Sequence, residues 1–246
     1  MNLSGLIGNV SIPRQTGGGT ASWISETSTV TAADQTFGQV VLTPKKLAAA
    51  TAYTKELLAQ SSIDIEAFVR MDLMTVIAIA KDLGALSGIG ANGQPLGILN
   101  TSGIGSVTFG GVSTFAKAVE FETTTATANA LLGNIAYVTT PATRGKWKGI
   151  QKATNYPVYI WDNPMPDGSG TVNGYKAYAT KQVPSDKVIF GNWNDLILAD
   201  WAGIDITVDP YSLSTSGQVR IVIMLLTDTA IRHAASFTVS SDSGAQ

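Results

Sequence analysis

The stretch from Ser61 to Leu86 constrains the fold most, because it predicts a single helix long enough to cross a whole domain. Apolar residues recur there at steps of three and four, and charged residues fall largely between them, as in an amphipathic helix. We predict a helix over about residues 62–86, with Phe68, Leu73 and Ile77 in its buried stripe. At ~1.5 Å per residue, about 25 residues form a rod of roughly 37 Å.

A glycine-rich segment follows this helix, and its spacing allows two interpretations. Residues 88–93 read G-x-G-x-x-G, which is typical of dinucleotide binding when it follows a strand and opens a helix. Here the pattern follows a helix and precedes Pro95, a residue that prevents helix continuation. We therefore predict a helix stop and a tight turn over residues 88–97.

The low share of charged residues indicates a surface that other subunits cover. Charged residues make up 14% of the chain, whereas soluble domains average about 25%. A surface rich in serine and threonine is the alternative, and it explains part of the deficit. The net charge of −2 predicts no general attraction to nucleic acid or to an anionic membrane. No apolar run approaches the ~18 residues of a membrane span.

Catalytic and metal-binding residue types are scarce. The chain has no cysteine and one histidine, His233, and we find no G-x-S-x-G nucleophile motif beside which that histidine could act as a base. We predict a structural role for His233 and no catalytic, cofactor or metal site. A carboxylate pair with Trp161, Trp193 and Trp201 as a sugar platform remains an alternative, although large aromatic residues more often anchor cores or subunit contacts.

The first 43 residues contain too little apolar sequence to form a core of their own. Residues 1–19 are polar and glycine-rich, which predicts either disorder or an arm that lies on a neighbour. Residues 20–43 predict a long hairpin in which residues 37–43 form the returning strand. An isolated two-stranded ribbon is marginal in water, so this hairpin requires a partner surface.

The remaining chain carries mixed helix and strand signals and predicts an α+β fold. Thr54 suits the N-cap of a short helix over residues 55–60, and Thr140 with Pro141 suits the start of another. Further helices are predicted from residue 113 or 114 through 119 and over about residues 126–132. Apolar runs predict the strands, at residues 103–111, 135–139, 158–161, 175–180, 188–190, 196–199, 204–208, 219–226 and 237–239.

Several short motifs occur in a fixed order along nearly the whole chain. They are Ile12-Pro13-Arg14, Trp23-Ile24-Ser25-Glu26, Phe37 with Leu42-Thr43-Pro44-Lys45, Glu56-Leu57-Leu58, Ser61-Ser62-Ile63-Asp64, Leu86-Ser87-Gly88 and Gln94-Pro95-Leu96-Gly97-Ile98-Leu99. Together these motifs make the chain resemble the major capsid protein family of tailed bacteriophages, which has the lambdoid-type phage capsid fold.

The resemblance implies the fold and domain division of that family. The implied parts of this α+β phage major capsid fold are an N-terminal arm (residues 1–19), an extended hairpin loop (20–43), a peripheral domain (44–112 and 219–246) with the spine helix at about 62–86, and an axial domain (113–218). We expect inter-subunit contacts at six residues, which are Arg14, Trp23, Glu26, Phe37, Arg144 and Trp147.

The resemblance also implies a structural function. Pentamers and hexamers of the chain would close into an icosahedral shell around double-stranded DNA that is held non-specifically. Portal and decoration proteins are further implied partners, no membrane is involved, and the location is the virion, after assembly in the host bacterial cytoplasm. A nanocompartment shell of the same fold, a β-rich carbohydrate-active enzyme and a monomeric β-rich binding protein remain alternatives.

Two departures from the family pattern lead to further expectations. Some family members form isopeptide cross-links from a lysine in the extended loop, but residues 20–43 contain no lysine. We therefore predict non-covalent closure of the shell. Many relatives also carry a scaffolding segment before the arm that a protease removes. Because this sequence starts close to the arm, we expect either the processed form or a protein encoded without that segment.

Overall fold

A computed structural model of the protein describes residues 1–19, 21, 23–26, 29, 34–60, 65–184, 187–240 and 242. The helices are α1 (Lys55–Gln60), α2 (Ile65–Ser87), α3 (Phe115–Thr127) and α4 (Pro141–Trp147). The strands are β1 (Asn2–Leu3), β2 (Val10–Gly17), β3 (Thr36–Leu42), β4 (Lys45–Thr54), β5 (Gly105–Val107), β6 (Ile135–Thr139), β7 (Gly170–Val172), β8 (Tyr175–Ala179), β9 (Val188–Asn192), β10 (Leu196–Asp200), β11 (Asp205–Asp209), β12 (Gln218–Ile231) and β13 (Phe237–Ser240).

The first sheet, sheet I, is built around β12, the longest strand described. β4 pairs antiparallel with residues 218–227 of β12, while β11 and β10 pair with the opposite edge and β1 extends the sheet beyond β10. Alternate residues of β12, from Val219 to Leu225, face α2 and are buried against it. This alternation is the pattern of a strand with one covered face.

The long helix is confirmed, but one residue of its predicted buried stripe is wrong. α2 ends within one residue of the predicted position, and residues 62–64 of the predicted helix lie outside the described residues. Leu73 and Ile77 are buried as predicted, whereas Phe68 is 66% exposed. The inward row advances by four residues through Val69, Leu73 and Ile77. Phe68 stands one residue, about 100°, away from that row.

The glycine-rich segment forms the predicted helix stop and turn. The Gly97 N–H donates to the Gly88 carbonyl at 2.8 Å, and Ile89 bridges Leu96 across the turn. A Cβ atom on Gly88 would lie 2.2 Å from the Pro95 carbonyl oxygen, so the close backbone approach requires glycine at this position. The segment folds back on itself after α2 and does not open a helix, which agrees with the rejection of a nucleotide loop.

The second sheet, sheet II, has the strand order β5-β13-β9-β6-β8-β7. Aromatic side chains fill one side of it, including Phe121 from α3, Tyr137 from β6, Trp147 from α4 and Phe190 from β9, all fully buried. The Tyr137 and Phe190 rings lie 4.3 Å apart between centroids. Thr114 and Thr140 cap α3 and α4, as their sequence positions predict.

The hairpin is formed differently from the prediction. The returning strand β3 pairs with β2, which belongs to the segment predicted to be either disordered or an arm on a neighbour. The base of this hairpin belongs to the chain's own core, because Leu6 and Ile12 pack against a cluster containing Leu42 and Trp201. Apolar residues spaced along the first twelve positions thus suffice to hold the segment on its own subunit.

Several other predicted elements differ from the structure. No helix covers 126–132, because α3 extends to Thr127 and the Ala130 N–H turns back to the Thr125 carbonyl. Residues 158–161 form only an isolated bridge, whereas residues 170–172 and 45–54, which were not predicted as strands, are β7 and β4. Strand pairing crosses residue 218, the predicted end of the axial domain. β10 and β11 precede this residue but lie in sheet I with β12, and β13 follows it but lies in sheet II. The remaining predicted strands are present, although β5 covers only three of the residues predicted at 103–111 and β12 runs five residues past the predicted end at 226.

Candidate assembly surfaces

The hairpin carries large apolar side chains that its own subunit does not cover. Phe37 is 68% exposed, Val41 is exposed on the same face, and Trp23 in the connecting segment is fully exposed. The two-stranded hairpin pairs with no other strand among the described residues. Burial of such apolar surface is favourable by about 25 cal/mol per Å². The hairpin is therefore a surface suited to contact another molecule.

A second apolar surface lies on α2, outside the inward row of Val69, Leu73 and Ile77. We call its exposed apolar residues the outer face of α2, and they are Phe68, Met71, Met74, Val76, Ile79 and Leu83. They surround much of the helix, whereas the inward row packs on sheet I and Leu86, at the end of the helix, packs into another core cluster. A helix that is apolar all round is normally buried on all sides. The outer face of α2 thus also predicts a covering partner.

The hairpin is fixed to sheet I by one buried carboxylate. Asp228 on β12 is 3% exposed, accepts hydrogen bonds from the Thr43 N–H at 3.0 Å and the Thr229 N–H at 2.8 Å, and pairs with the Lys45 ammonium at 2.8 Å. Thr43 and Lys45 stand where the chain passes from β3 into β4. A second half-buried pair, Lys81 with Asp200 at 2.7 Å, ties α2 to β10.

The six residues predicted at subunit contacts lie in two regions. Arg14, Trp23, Glu26 and Phe37 are exposed on the hairpin and its connecting segment, and no ion pair among the described residues includes Arg14. The other two, Arg144 and Trp147, lie on α4, which packs against sheet II. Arg144 is half-buried and donates to the Gly168 carbonyl at 2.9 Å.

Trp147 requires a correction. Its side chain is fully buried among the aromatic residues of sheet II, with its ring centroid 6.4 Å from that of Phe109. An indole inside the subunit's own core cannot contact a neighbour, so Trp147 stabilises the subunit itself. The sequence did not distinguish Trp147 from the exposed residues of this set, whereas the short helix α4 turns Trp147 and Thr143 inward.

His233 belongs to a hydrogen-bonded cluster in which the order of groups is wrong for nucleophilic catalysis. Its Nδ1 lies 3.0 Å from the Ser236 hydroxyl, and that hydroxyl donates to Asp195 at 2.6 Å. A catalytic triad needs the carboxylate on the histidine and the histidine on the serine. Here the serine is in the middle and its proton is committed to Asp195, so the cluster holds the turn before β13.

The three tryptophans of the carbohydrate alternative do not form one platform. Trp161 belongs to the core of sheet II, Trp193 stacks edge-on with Phe237 at 5.7 Å, and Trp201 packs at the hairpin base. Among the described residues, no three metal-ligating side chains cluster together. Within the same residues, no helix has the length and apolar content needed to span a membrane.

The most perturbed ionisable groups are structural as well. Burial raises the pKa of Tyr137 far above its ordinary value, and its hydroxyl donates to the Ala118 carbonyl at 2.8 Å. Partial burial, together with the hydrogen bond to Glu122, raises the pKa of Tyr175. Both groups stay neutral at physiological pH and tie α3 to sheet II, so neither is suited to proton transfer.

These features define a class of protein before any comparison is made. Two sheets with their own cores, a projecting hairpin and an uncovered helix face describe a structural subunit whose surfaces are completed by other subunits. The sequence profile of the phage capsid family matches residues 1–242, and the chain belongs to that family. The resemblance inferred from the sequence motifs is thereby confirmed.

Two curated relatives carry the same description. The chain is 32% identical over 241 residues to the major capsid protein of Halomonas phage phiHAP-1, covering 98% of this chain and 39% of the relative. It is 21% identical over 238 residues to the major capsid protein of Klebsiella oxytoca phage phiKO2, covering 86% of this chain and 53% of the relative. The chain thus spans about half the length or less of these relatives, which are structural proteins, in agreement with the prediction that the chain is not an enzyme.

Solved structures confirm the fold class. The capsid of the native GTA particle matches 97% of this chain and 86% of its own with a TM-score of 0.78 at 18% identity. The structure of Microbacterium phage Oxtober96 matches 98% of this chain and 88% of its own with a TM-score of 0.80 at 15% identity. At these identities the comparison establishes the shared capsid fold.

Proposed function

We propose that the chain is a major capsid protein that assembles as pentamers and hexamers into a closed icosahedral shell. The observation that carries this proposal is the pair of uncovered apolar surfaces, the hairpin and the outer face of α2. Contiguous apolar surface of this kind on a soluble protein marks an interaction site. The low charged content of 14% supports it, because subunit interfaces are depleted of charge.

We propose that the shell encloses double-stranded DNA and holds it by confinement. The net charge of −2 supports this arrangement, since a strongly basic lining would bind DNA tightly and with a steep dependence on salt. Further copies of the chain, portal and decoration proteins are the other proposed partners, the virion is the proposed location, and the host cytoplasm is the proposed site of assembly.

We also propose that closure is non-covalent. The extended loop, residues 20–43, contains no lysine to form an isopeptide bond. Lys45 stands at the base of the hairpin and is paired with Asp228. Assembled particles boiled in detergent should therefore release a single band near 25.7 kDa. A ladder of oligomers that resists boiling would contradict this proposal.

Assembly can be tested on the full chain by negative-stain microscopy and analytical ultracentrifugation. We expect pentamers, hexamers or closed particles, and a persistent monomer under conditions that assemble related shells would overturn the proposal. Particles that contain protein and no DNA would replace the DNA-enclosing role with that of a nanocompartment.

A matched pair of variants tests the hairpin surface. Phe37→Ser removes an exposed apolar contact and should reduce the particle yield strongly, whereas Phe37→Leu keeps the apolar surface and should assemble. Because Phe37 is mostly exposed in the subunit, both variants should fold as the unaltered chain does, which circular dichroism and thermal melting can verify. Equal yields from both variants would show that the hairpin surface is not an interface.

A further inference from the structure

The outer edge of β4 is an unpaired row of backbone groups. β4 is ten residues long and pairs only with β12 among the described strands. Just beyond this pairing, the Lys55 N–H donates to the Gly217 carbonyl at 2.9 Å. Backbone groups in an antiparallel ladder alternate between facing the partner and facing away. The pairing of β4 with β12 has no break in register, so this alternation can be followed back from Lys55. The backbone groups that face away from β12 are those of Lys46, Ala48, Ala50, Ala52 and Thr54.

Most of this edge lacks the features that normally prevent strand addition. Proteins protect exposed edges with lysine and other charges, proline or bulges, and Lys46 lies only at the N-terminal end of this edge. β4 contains no proline and no shift in register, and its exposed side chains between Lys46 and Thr54 are the three alanines Ala48, Ala50 and Ala52. By contrast, the outer edge of β2 carries Pro13 and Arg14. The β4 edge is therefore open to another strand.

The outer edge of β3 is equally open. Pro13 of β2 pairs with Gln39 of β3, and proline has no N–H to donate. Proline is accommodated where that N–H would point away from the partner strand, which places the backbone groups of Gln39 on the outer edge of β3. By alternation, Phe37 and Val41 face the same way. β3 contains no charge and no proline.

We propose that β3 of one copy adds as a strand to the outer edge of β4 in a second copy. This inference rests on the proposed shell-forming function and specifies how the hairpin docks. Backbone hydrogen bonds supply the affinity in this mode of binding, and alternate side chains supply specificity. The small Ala48, Ala50 and Ala52 side chains leave room for the large Phe37 and Val41 side chains of the added strand.

The choice of β3 as the occupant follows from symmetry as well as from shape. Pairing of two β4 edges would be isologous, so it would close a dimer and leave both hairpins uncovered. Pairing of β3 on β4 joins two different surfaces and is heterologous. A heterologous contact can repeat around an axis and close a ring, which is what pentamers and hexamers require.

Proline substitutions test the backbone ladder. Ala50→Pro removes an N–H that points to the open edge, and Ala50→Ser is the matched control that retains it. We expect both variants to fold, and the particle yield of Ala50→Pro to fall at least about tenfold, because the blocked position recurs in every copy. Ala49→Pro removes an N–H that pairs with β12, so its melting temperature should fall much further than that of Ala50→Pro. Equal particle yields from Ala50→Pro and Ala50→Ser would overturn the inference.

Cysteine pairs test the identity of the occupant without background, because the chain has no cysteine. Gln39→Cys is combined in turn with Ala48→Cys, Ala50→Cys or Ala52→Cys to scan the register, since a disulfide forms only when the two Cβ atoms lie about 4 Å apart. After mild oxidation of particles, at least one pair should give oligomer ladders on non-reducing gels.

The controls distinguish failure of strand addition from failure of shell formation. Dimers from Ala50→Cys alone would show β4–β4 pairing and overturn the choice of β3, and particles without ladders from any pair would overturn strand addition while leaving shell formation intact. Failure of the unaltered chain to assemble at all would instead overturn the proposed function.

Discussion

Trp147 and Trp23 show how differently two regions of this subunit use the same side chain. Trp147 is fully buried in the aromatic core of sheet II, while Trp23 stands fully exposed beside the hairpin. Sheet II has enough surrounding helix and strand to bury its own aromatic residues. Among the described residues, the hairpin has only two strands, and only its base packs against other elements. The comparison teaches that apolar content alone does not locate a core, because a core also needs elements around it.

The sharpest test of this comparison is the pair Trp147→Ala and Trp23→Ala. Removal of the buried indole should lower the free energy of unfolding by about 3–5 kcal/mol, since it leaves a large cavity. Removal of the exposed indole should change it by less than about 0.5 kcal/mol and should instead reduce assembly. Urea denaturation of the unassembled chain measures the free energy of unfolding of both variants. Similar losses of stability from the two variants would break the contrast.

A second pair applies the same contrast within one helix. Leu73→Ala, on the inward row of α2, should lower the free energy of unfolding by about 3 kcal/mol. Phe68→Ala, on the outer face of α2, should alter it by less than about 0.5 kcal/mol. The difference is expected because Leu73 is buried and Phe68 is 66% exposed. A large stability loss in Phe68→Ala would indicate that the outer face is covered within the subunit.

The carboxylate that joins the hairpin to sheet I should have an intermediate effect. Asp228→Ala leaves the Thr43 N–H and the Lys45 ammonium without their partner. We expect a loss of about 2 kcal/mol, below the cost of breaking a fully buried ion pair, because Lys45 retains some contact with water. Thermal melting measures the stability, and hydrogen exchange at Thr43 reports the local release. Unchanged exchange there would exclude Asp228 as the anchor of the hairpin.

A smaller loss of stability than at Asp228 is expected at Asp242, and it depends on pH. Its carboxylate accepts the Phe109 N–H at 2.9 Å and the Gly110 N–H at 2.8 Å, and the first of these bonds is the main cause that lowers the pKa of Asp242 below its ordinary value of 3.8. A lowered pKa stabilises the fold above the unfolded value, and this stabilisation is lost as the pH falls through the folded value.

Asp242→Asn should therefore lower the free energy of unfolding by about 0.5–1 kcal/mol at pH 7. This value is small because solvent screens the carboxylate. The difference from the unaltered chain should shrink towards pH 3. Denaturant titrations at both pH values measure it, and a difference that is constant with pH would rule out the carboxylate charge as the source.

The parts of the fold that were predictable from sequence are those with strong local signals. Thr140 with Pro141 marked the start of α4, the apolar run at 135–139 gave β6, and the glycine segment marked the end of α2. β4 was missed because Ala48, Ala49 and Ala50 favour helices intrinsically. Ten residues of pairing with β12 override that preference.

The pairing of distant segments could not be predicted from local signals. Nothing in residues 10–17 indicates that they pair with residues 36–42. The packing of the first residues on their own subunit could not be predicted either. Leu6 and Ile12 pack against Leu42 and Trp201, so we expect a deletion of residues 1–22 to expose part of the core.

Only some of the exposed residues on the candidate surfaces were predictable from the sequence. Arg14, Trp23, Glu26 and Phe37 were chosen from the motifs and are exposed. The outer face of α2 was not recognised, because Phe68 was counted in the same buried stripe as Leu73 and Ile77. Phe68 was consequently assigned to the wrong side.

The way the hairpin joins sheet I has a mechanical consequence. β3 continues through Thr43 and Pro44 directly into β4, so a pull on the hairpin that runs along β4 acts on the whole strand. The ten paired residues between β4 and β12 are then loaded in shear, and many hydrogen bonds must break at once. A pull at right angles would instead peel them apart singly. In the proposed shell, a load on the hairpin would therefore pass into the β4–β12 ladder, where pairing along the whole strand resists it.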